Sequence, residues 1–208
     1  MRSLPDLRLM LVTDAAMTAR RGLVETVLAA VAGGVTVVQL RDKAASDAEM
    51  LATGRALLAA LAPFGIPLVV NDRVSVAAAL GAHLHIGQED GDPAAARAAI
   101  GPDALLGLSV TRAAEMATVD GRIVDYVGLG PVFVTGTKAD AAAPLGLDGF
   151  RAIAARLAVP SVAIGGIDAE NAAAVIDAGA GGIAVVSAIC AADDPRAAAA
   201  ALRRAVDG

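Results

Sequence analysis

Apolar positions follow two alternating rhythms along this chain. Short runs of almost unbroken apolar residues, such as Val35-Thr36-Val37-Val38 and Ile183-Ala184-Val185-Val186, alternate with longer Ala-rich stretches of helical pattern. The runs predict strands at about 8–13, 35–41, 67–71, 82–86, 104–109, 123–130, 159–165 and 180–187. The stretches predict helices near 21–33, 46–62, 73–80, 93–99, 111–119, 148–156, 168–178 and 193–206. Strands without polar alternate positions are the pattern of parallel strands buried on both faces.

Punctuation supports this order. Ser46, with Glu49 three residues later, resembles a capping box. Ser75, Asp168 and Asp193 stand near other helix starts, while Gly33-Gly34 and Gly179 follow helices as left-handed caps do. Eight βα units without a linker favour one α/β domain over 1–208, a single (β/α)₈ TIM barrel. A doubly wound open sheet would need a glycine-rich dinucleotide turn after the first strand. Leu11-Val12-Thr13-Asp14-Ala15 is not one.

Composition narrows the picture. Hydrophobic residues are 56% of the 208 and aromatics 2%, so a large core must be packed from Ala, Val, Leu and Ile. High mean hydropathy raises the question of a membrane. The longest uncharged runs, 26–40 and 178–192, are broken by glycine pairs and fall short of the ~18–20 apolar residues that span a bilayer. The first residues lack the apolar stretch of a signal peptide, so a cytoplasmic protein without membrane attachment is expected. Cys190, the only cysteine, excludes an internal disulfide and a multi-cysteine metal site. A formal net charge of −5 argues against nucleic acid as a partner. An anionic ligand must therefore be held by local cations, helix N-termini or a metal.

In such a barrel, ligand chemistry sits at the C-terminal strand ends. Thr13, Gln39, Arg41, Asn71, His85, Ser109 and Ser187 interrupt the apolar runs there. Gln39, Arg41 and Lys43 share a face if the chain stays extended, and the two cations suit phosphate oxygens; the alternative is a solvated loop. Asp72 and Asp90, from neighbouring loops, form a candidate magnesium pair, with helix N-caps as the alternative. Glu89 is expected to face solvent. Thr135, Thr137 and Lys138 offer donors to anionic oxygens, and 139–144 reads as a lid or a plain connection. Gly165-Gly166 after the seventh strand, with Val186 and Ser187 after the eighth, occupy the usual phosphate position of this fold, where glycine lets a phosphate approach the backbone; a tight turn alone is the alternative. His85 is expected to be a core histidine with satisfied hydrogen bonds.

Taken in order, Leu11-Val12-Thr13-Asp14, Val38-Gln39-Leu40-Arg41-Asp42-Lys43, Val70-Asn71-Asp72-Arg73, His85-Ile86-Gly87-Gln88-Glu89-Asp90, Gly107-Leu108-Ser109-Val110, Asp125-Tyr126-Val127-Gly128-Leu129-Gly130-Pro131-Val132-Phe133, Thr135-Gly136-Thr137-Lys138 and Ala163-Ile164-Gly165-Gly166-Ile167 resemble the thiamine phosphate synthase family over nearly the whole chain. The resemblance implies a transferase coupling aminopyrimidine-methyl diphosphate to thiazole phosphate, giving thiamine monophosphate and pyrophosphate. It implies that Gln39, Arg41, Lys43 and Asn71 bind the pyrimidine diphosphate, that Ser109 and Lys138 approach the diphosphate, and that Asp72 and Asp90 ligate Mg2+. Arg41, Lys43, Ser109 and Lys138 would be the catalytic groups. Thr135, Thr137, Gly166, Val186 and Ser187 would hold the thiazole phosphate. The partners implied are small molecules; homo-oligomerisation stays open. Val134 stands where the family commonly has proline, the run Gly81-Ala82-His83-Leu84-His85 is one residue shorter than usual, and Gly181 replaces a common Asp. The rival readings are a thiazole tautomerase, which needs no magnesium-diphosphate site, and a non-catalytic phosphate sensor.

Overall fold

A computed structural model describes residues 4–136 and 142–208. Eight parallel strands close into a barrel in sequence order: β1 Leu9–Val12, β2 Val37–Leu40, β3 Leu68–Asn71, β4 His83–Ile86, β5 Leu106–Val110, β6 Tyr126–Leu129, β7 Ser161–Ile164 and β8 Gly182–Val185. The ring closes where β1 pairs with β8, Met10 opposite Ala184. All eight predicted strands are present, each shorter than its apolar run.

The unbroken runs have a simple cause: each strand is covered twice. Leu9, Leu11, Val38, Leu40, Val70, Leu84 and Ile86 point outward into a large core shared with the helices. Met10, Val12, Val37, Val69, Tyr126, Val162 and Ala184 form a separate inner core within the barrel. Period-two alternation therefore sends apolar side chains to both faces.

The outer layer is α1 Ala15–Thr18, α2 Leu23–Ala32, α3 Asp47–Leu61, α4 Val74–Leu80, α5 Pro93–Ile100, α6 Gly146–Ala154, α7 Ala172–Asp177, α8 Ser187–Cys190 and α9 Pro195–Asp207. The Ser46/Glu49 capping box forms as expected and starts α3. Other punctuation needs correction. Asp194, not Asp193, caps α9. Ser75 lies inside α4, where its hydroxyl donates to Asp47 instead of capping. Asp168 accepts from the backbone of Glu170 and Asn171 ahead of α7, whose N-cap is Asn171. Gly34 (φ 108°) takes the positive φ and Gly33 does not. Between β5 and β6 the expected α-helix is a 3₁₀ turn, Ala113–Thr118.

Helix α9 closes the outer layer by packing on α2. A Cβ at Gly33 would overlap the Arg196 carbonyl, so glycine permits that approach. Arg97 of α5, between β4 and β5, pairs with the Asp125 side chain just before β6, which also accepts from the Leu106 amide at 2.8 Å. No helix of the described residues is long and apolar enough to cross a membrane.

Candidate functional site

The C-terminal rim divides into two arcs. The first, over β2 to β5, carries the charged side chains. A cavity of about 310 Å³ lies there, lined by Asp42, Lys43, Asn71, Asp72, Arg73 and Asp90. Lys43 Nζ reaches Asp72 Oδ2 at 3.1 Å. Asp90 lies against Asp72, and one of its oxygens accepts from the Gly87 amide at 2.7 Å. Neither aspartate is a helix N-cap: α4 is entered through Arg73 and α5 is capped by Asp92. The N-cap alternative therefore falls for both.

Asp72 is aimed by its backbone. It is the one non-glycine residue with positive φ (63°) among the described residues, a conformation that costs of order 1–3 kcal/mol. Its amide donates to the His85 carbonyl at 2.8 Å, and its carbonyl accepts from Val74 at 3.1 Å. These bonds hold the turn and bring the carboxylate to Asp90. Burial raises the Asp72 pKa, the neighbouring Asp90 carboxylate raises it further, and Lys43 opposes both. Two crowded carboxylates with one compensating ammonium form a site that a hard divalent cation would relieve. Among the described residues no three His, Cys, Asp or Glu side chains gather into a metal cage. The donor set thus suits magnesium, which keeps waters and takes substrate oxygens, better than zinc.

The Gln39-Arg41-Lys43 face is only partly realised. Strand β2 ends at Leu40, and Asp42 accepts from the Ala44 and Ala45 amides at 3.0 and 3.2 Å, turning the chain. Gln39 stays buried inside the barrel, with its amide nitrogen 3.5 Å from Met10 Sδ. Arg41 borders a second, smaller cavity of about 110 Å³ with Thr13, Leu23 and Met50, and Asp42 borders both cavities. The Thr13 hydroxyl accepts from the Arg41 amide at 3.0 Å, tying β1 to the loop. Arg73 ties the other side, donating to Asp47 at 2.5 Å and to the Ala45 carbonyl at 2.8 Å. Its bracing role was not legible in the charge pattern. Glu89 is exposed, as expected.

Below this arc lies a buried polar group. His85 Nε2 is 2.9 Å from Ser109 Oγ, and Nδ1 is 3.1 Å from Tyr126 Oη. Burial lowers the His85 pKa to about 4 and raises that of Tyr126. The expectation of a satisfied core histidine is met. Tyr126 as its partner had no signal in the sequence beyond being the only tyrosine.

The second arc, over β6 to β8, is built from backbone. Val132 and Phe133 amides donate to the carbonyls of Ile164 and Gly165 at 2.9 and 3.0 Å. Gly165 (φ 100°) and Gly166 (φ 66°) face this segment. A Cβ on Gly165 would stand 2.5 Å from Pro131 Cβ, and one on Gly166 would stand 2.6 Å from the Val134 carbonyl oxygen. The glycine pair thus seats the β6 loop, a role distinct from the expected approach of a phosphate. Asn171 Nδ2 donates to the Gly166 carbonyl at 2.9 Å, pinning the turn. Val186 precedes α8 and Ser187 begins it, exposed at the rim. Thr135 is half-buried beside the exposed Val134. Thr137 and Lys138 lie outside the described residues. Cys190 is buried, and burial pushes its thiol up to about 11, which leaves it unreactive.

Comparison with known proteins agrees with this geometry. The family model described as thiamine monophosphate synthase matches residues 9–189. A thiamine-phosphate synthase from Azorhizobium caulinodans is 55% identical over 203 residues, covering 97% of this chain and 96% of its own. One from Xanthobacter autotrophicus is 54% identical over 202 residues, covering 97% and 96%. The solved thiamine phosphate pyrophosphorylase from Pyrococcus furiosus superposes with a TM-score of 0.88 at 37% identity, covering 97% of this chain and 96% of its own.

Proposed function

The chain belongs to the thiamine monophosphate synthase family, and from that premise we propose how its two arcs share the reaction. The activity is a transferase step of thiamine biosynthesis on small-molecule substrates. It condenses the aminopyrimidine-methyl diphosphate with thiazole phosphate to thiamine monophosphate and pyrophosphate. The first arc takes the diphosphate substrate: Gln39, Arg41, Lys43 and Asn71 bind it, with Ser109 and Lys138 reaching its phosphate oxygens. The second arc takes the thiazole phosphate through Thr135, Thr137, Gly166, Val186 and Ser187. Asp72 and Asp90 hold magnesium. Such an ion, when bound, supplies positive charge that lowers the cost of diphosphate departure.

The chain's own groups do the rest. Lys43 and Arg41 neutralise the leaving anion as the methylene carbon–oxygen bond breaks and the electron pair leaves with the diphosphate. The electron-rich pyrimidine stabilises the methylene cation. The thiazole nitrogen then donates its lone pair to form the new carbon–nitrogen bond. No protein nucleophile is needed, in keeping with a thiol held unreactive by burial. The reading includes a cytoplasmic location.

The observation that carries this reading is the contact of Lys43, Asp72 and Asp90 at the mouth of one cavity. A thiazole tautomerase or a phosphate sensor has no use for it. The test mixes both heterocycles with the protein, with magnesium or with excess chelator, and follows thiamine phosphate by mass spectrometry. Magnesium-dependent product is expected. Equal product in chelator would defeat the metal assignment, and no product under either condition would defeat the whole reading.

A further inference from the structure

Tyr126 lies fully buried inside the barrel, beyond reach of any ligand at the rim. We infer that Tyr126 is a positioning residue that fixes the tautomer of His85, so that the Ser109 hydroxyl keeps its own proton free for the ligand. What Ser109 touches rests on the reading above; the state of the imidazole does not.

The argument is hydrogen-bond accounting. Among the described residues, Tyr126 Oη has one hydrogen-bond partner, His85 Nδ1 at 3.1 Å. A buried hydroxyl whose proton finds no acceptor costs about 1–3 kcal/mol. If Nδ1 carried a proton it would donate to the phenol oxygen, and the phenol proton would be orphaned. Tyr126 must therefore donate, and Nδ1 must accept. A neutral ring then bears its proton on Nε2. Among the described residues that proton has Ser109 Oγ, 2.9 Å away, as its acceptor. With one lone pair of Oγ thus occupied, its own hydrogen is free to point into the barrel mouth. A hydroxyl in this state has its proton to give, which suits an anionic oxygen such as those of the diphosphate.

The barrel wall is shaped around this pair. A Cβ on Gly107 would overlap both the Tyr126 and His85 rings, and one on Gly128 would stand 2.8 Å from His85 Cε1. Two neighbouring strands thus give up inward side chains at the level of these rings, whose centroids are 5.5 Å apart. Packing alone would be served by apolar residues, as it is in the inner core on β7 and β8.

The test uses the full-length chain with ¹⁵N-labelled histidine. It has two histidines, and His83 Nδ1 accepts from the Leu105 amide at 3.0 Å, so both are expected as Nε2–H tautomers. His83→Asn assigns the remaining signals to His85. In Tyr126→Phe only His85 should change, gaining Nδ1–H character. Turnover should fall roughly 10- to 100-fold, the scale for losing a group that orients a working ligand from behind, with KM for thiazole phosphate unchanged. In a Ser109→Ala background the same substitution should cost less than about twofold, because its effect passes through that hydroxyl. A protonated Nδ1 on His85 in the wild-type chain would overturn the inference whether or not Tyr126→Phe folds. So would an equal loss of turnover with and without Ser109. Absence of thiamine phosphate from the wild-type chain would defeat the functional reading but leave the tautomer measurement standing.

Discussion

The arc over β2–β5 and the arc over β6–β8, to which we assign the two anionic substrates, are built in two different ways on one ring of strands. The first works through side chains. Its Lys43, Asp72 and Asp90 carry the charged groups, with Asp72 half-buried, and the strain of Asp72 is local to one turn. The second works through main chain. Its turn is shaped by glycines whose missing Cβ atoms leave room for Pro131, Phe133 and the Val134 carbonyl. The layers beneath differ accordingly. Under the first lie Gln39, His85 and Ser109, all polar; under the second lie Val162, Ile164, Ala184 and Val186. Substitutions in the first arc should therefore cost chemistry and spare the fold. Substitutions in the second should cost the fold as well.

The sharpest separation comes from Asp90→Ala and Arg41→Ala. Each should lower kcat roughly 10²–10³-fold, the scale for removing one preorganised electrostatic group, while the Tm stays at or above that of the wild type. Near-normal kcat in Arg41→Ala at saturating magnesium would remove that residue from the machinery; it borders the smaller cavity, so the measurement is decisive there.

Acid should expose the polar foundation of the first arc. His85 has its pKa lowered from 6.5 to about 4 by burial. The unfolded chain therefore takes up the proton first as pH falls, and stability is lost as pH drops from 6.5 toward about 4. At about 1.4 kcal/mol per pH unit, this amounts to about 3 kcal/mol. Urea unfolding at stepped pH should show that slope in the wild type and lack it in His85→Asn. The depressed pKa of His83 contributes to both proteins and cancels. Equal slopes would mean that His85 is not held neutral by its surroundings.

The order and number of strands were legible because double burial imposes apolar runs, and nothing else in the chain competes with that signal. The carboxylate pair was legible from its strand-end placement. What the sequence did not reveal arises where backbone turns. The extended face imagined for Gln39, Arg41 and Lys43 breaks because Asp42 folds the loop onto its own carboxylate. The same interaction makes aspartate common in turns, but it cannot be told from a charged rim residue by type alone. Helix starts slipped by a residue at Asp193 and Asp194 because adjacent aspartates are equally good caps and tertiary packing chose between them. The glycine pair at 165–166 was read as making room for a ligand. It also makes room for the chain's own β6 loop, a contact that sequence spacing does not encode.

Gly165→Ala probes that second role. The new methyl group would meet Pro131 at a positive φ, so a loss of roughly 2 kcal/mol is expected, read as a Tm several degrees lower. A Tm equal to that of the wild type would show that the second arc yields as easily as the first, and the contrast between main-chain and side-chain sites would fail.

The smallest effect runs the other way. Burial and the Asp90 charge raise the Asp72 pKa, so the ionised carboxylate destabilises the folded chain. That penalty is absent while both states are protonated, below the ordinary value of 3.8. It grows as pH rises toward the elevated folded-state value and is complete above it. Asn at 72 tolerates the same left-handed backbone and carries no charge to be repelled. Asp72→Asn should therefore be about 1 kcal/mol more stable than the wild type at neutral pH without magnesium. The gap should close as pH falls below the usual carboxylate range. Added magnesium should also narrow it, by stabilising only the wild type. Calorimetric Tm values for both chains, with and without magnesium, measure each of these. A variant no more stable than the wild type would mean that Lys43 already balances the pair, and that the first arc holds no electrostatic strain for a metal ion to relieve.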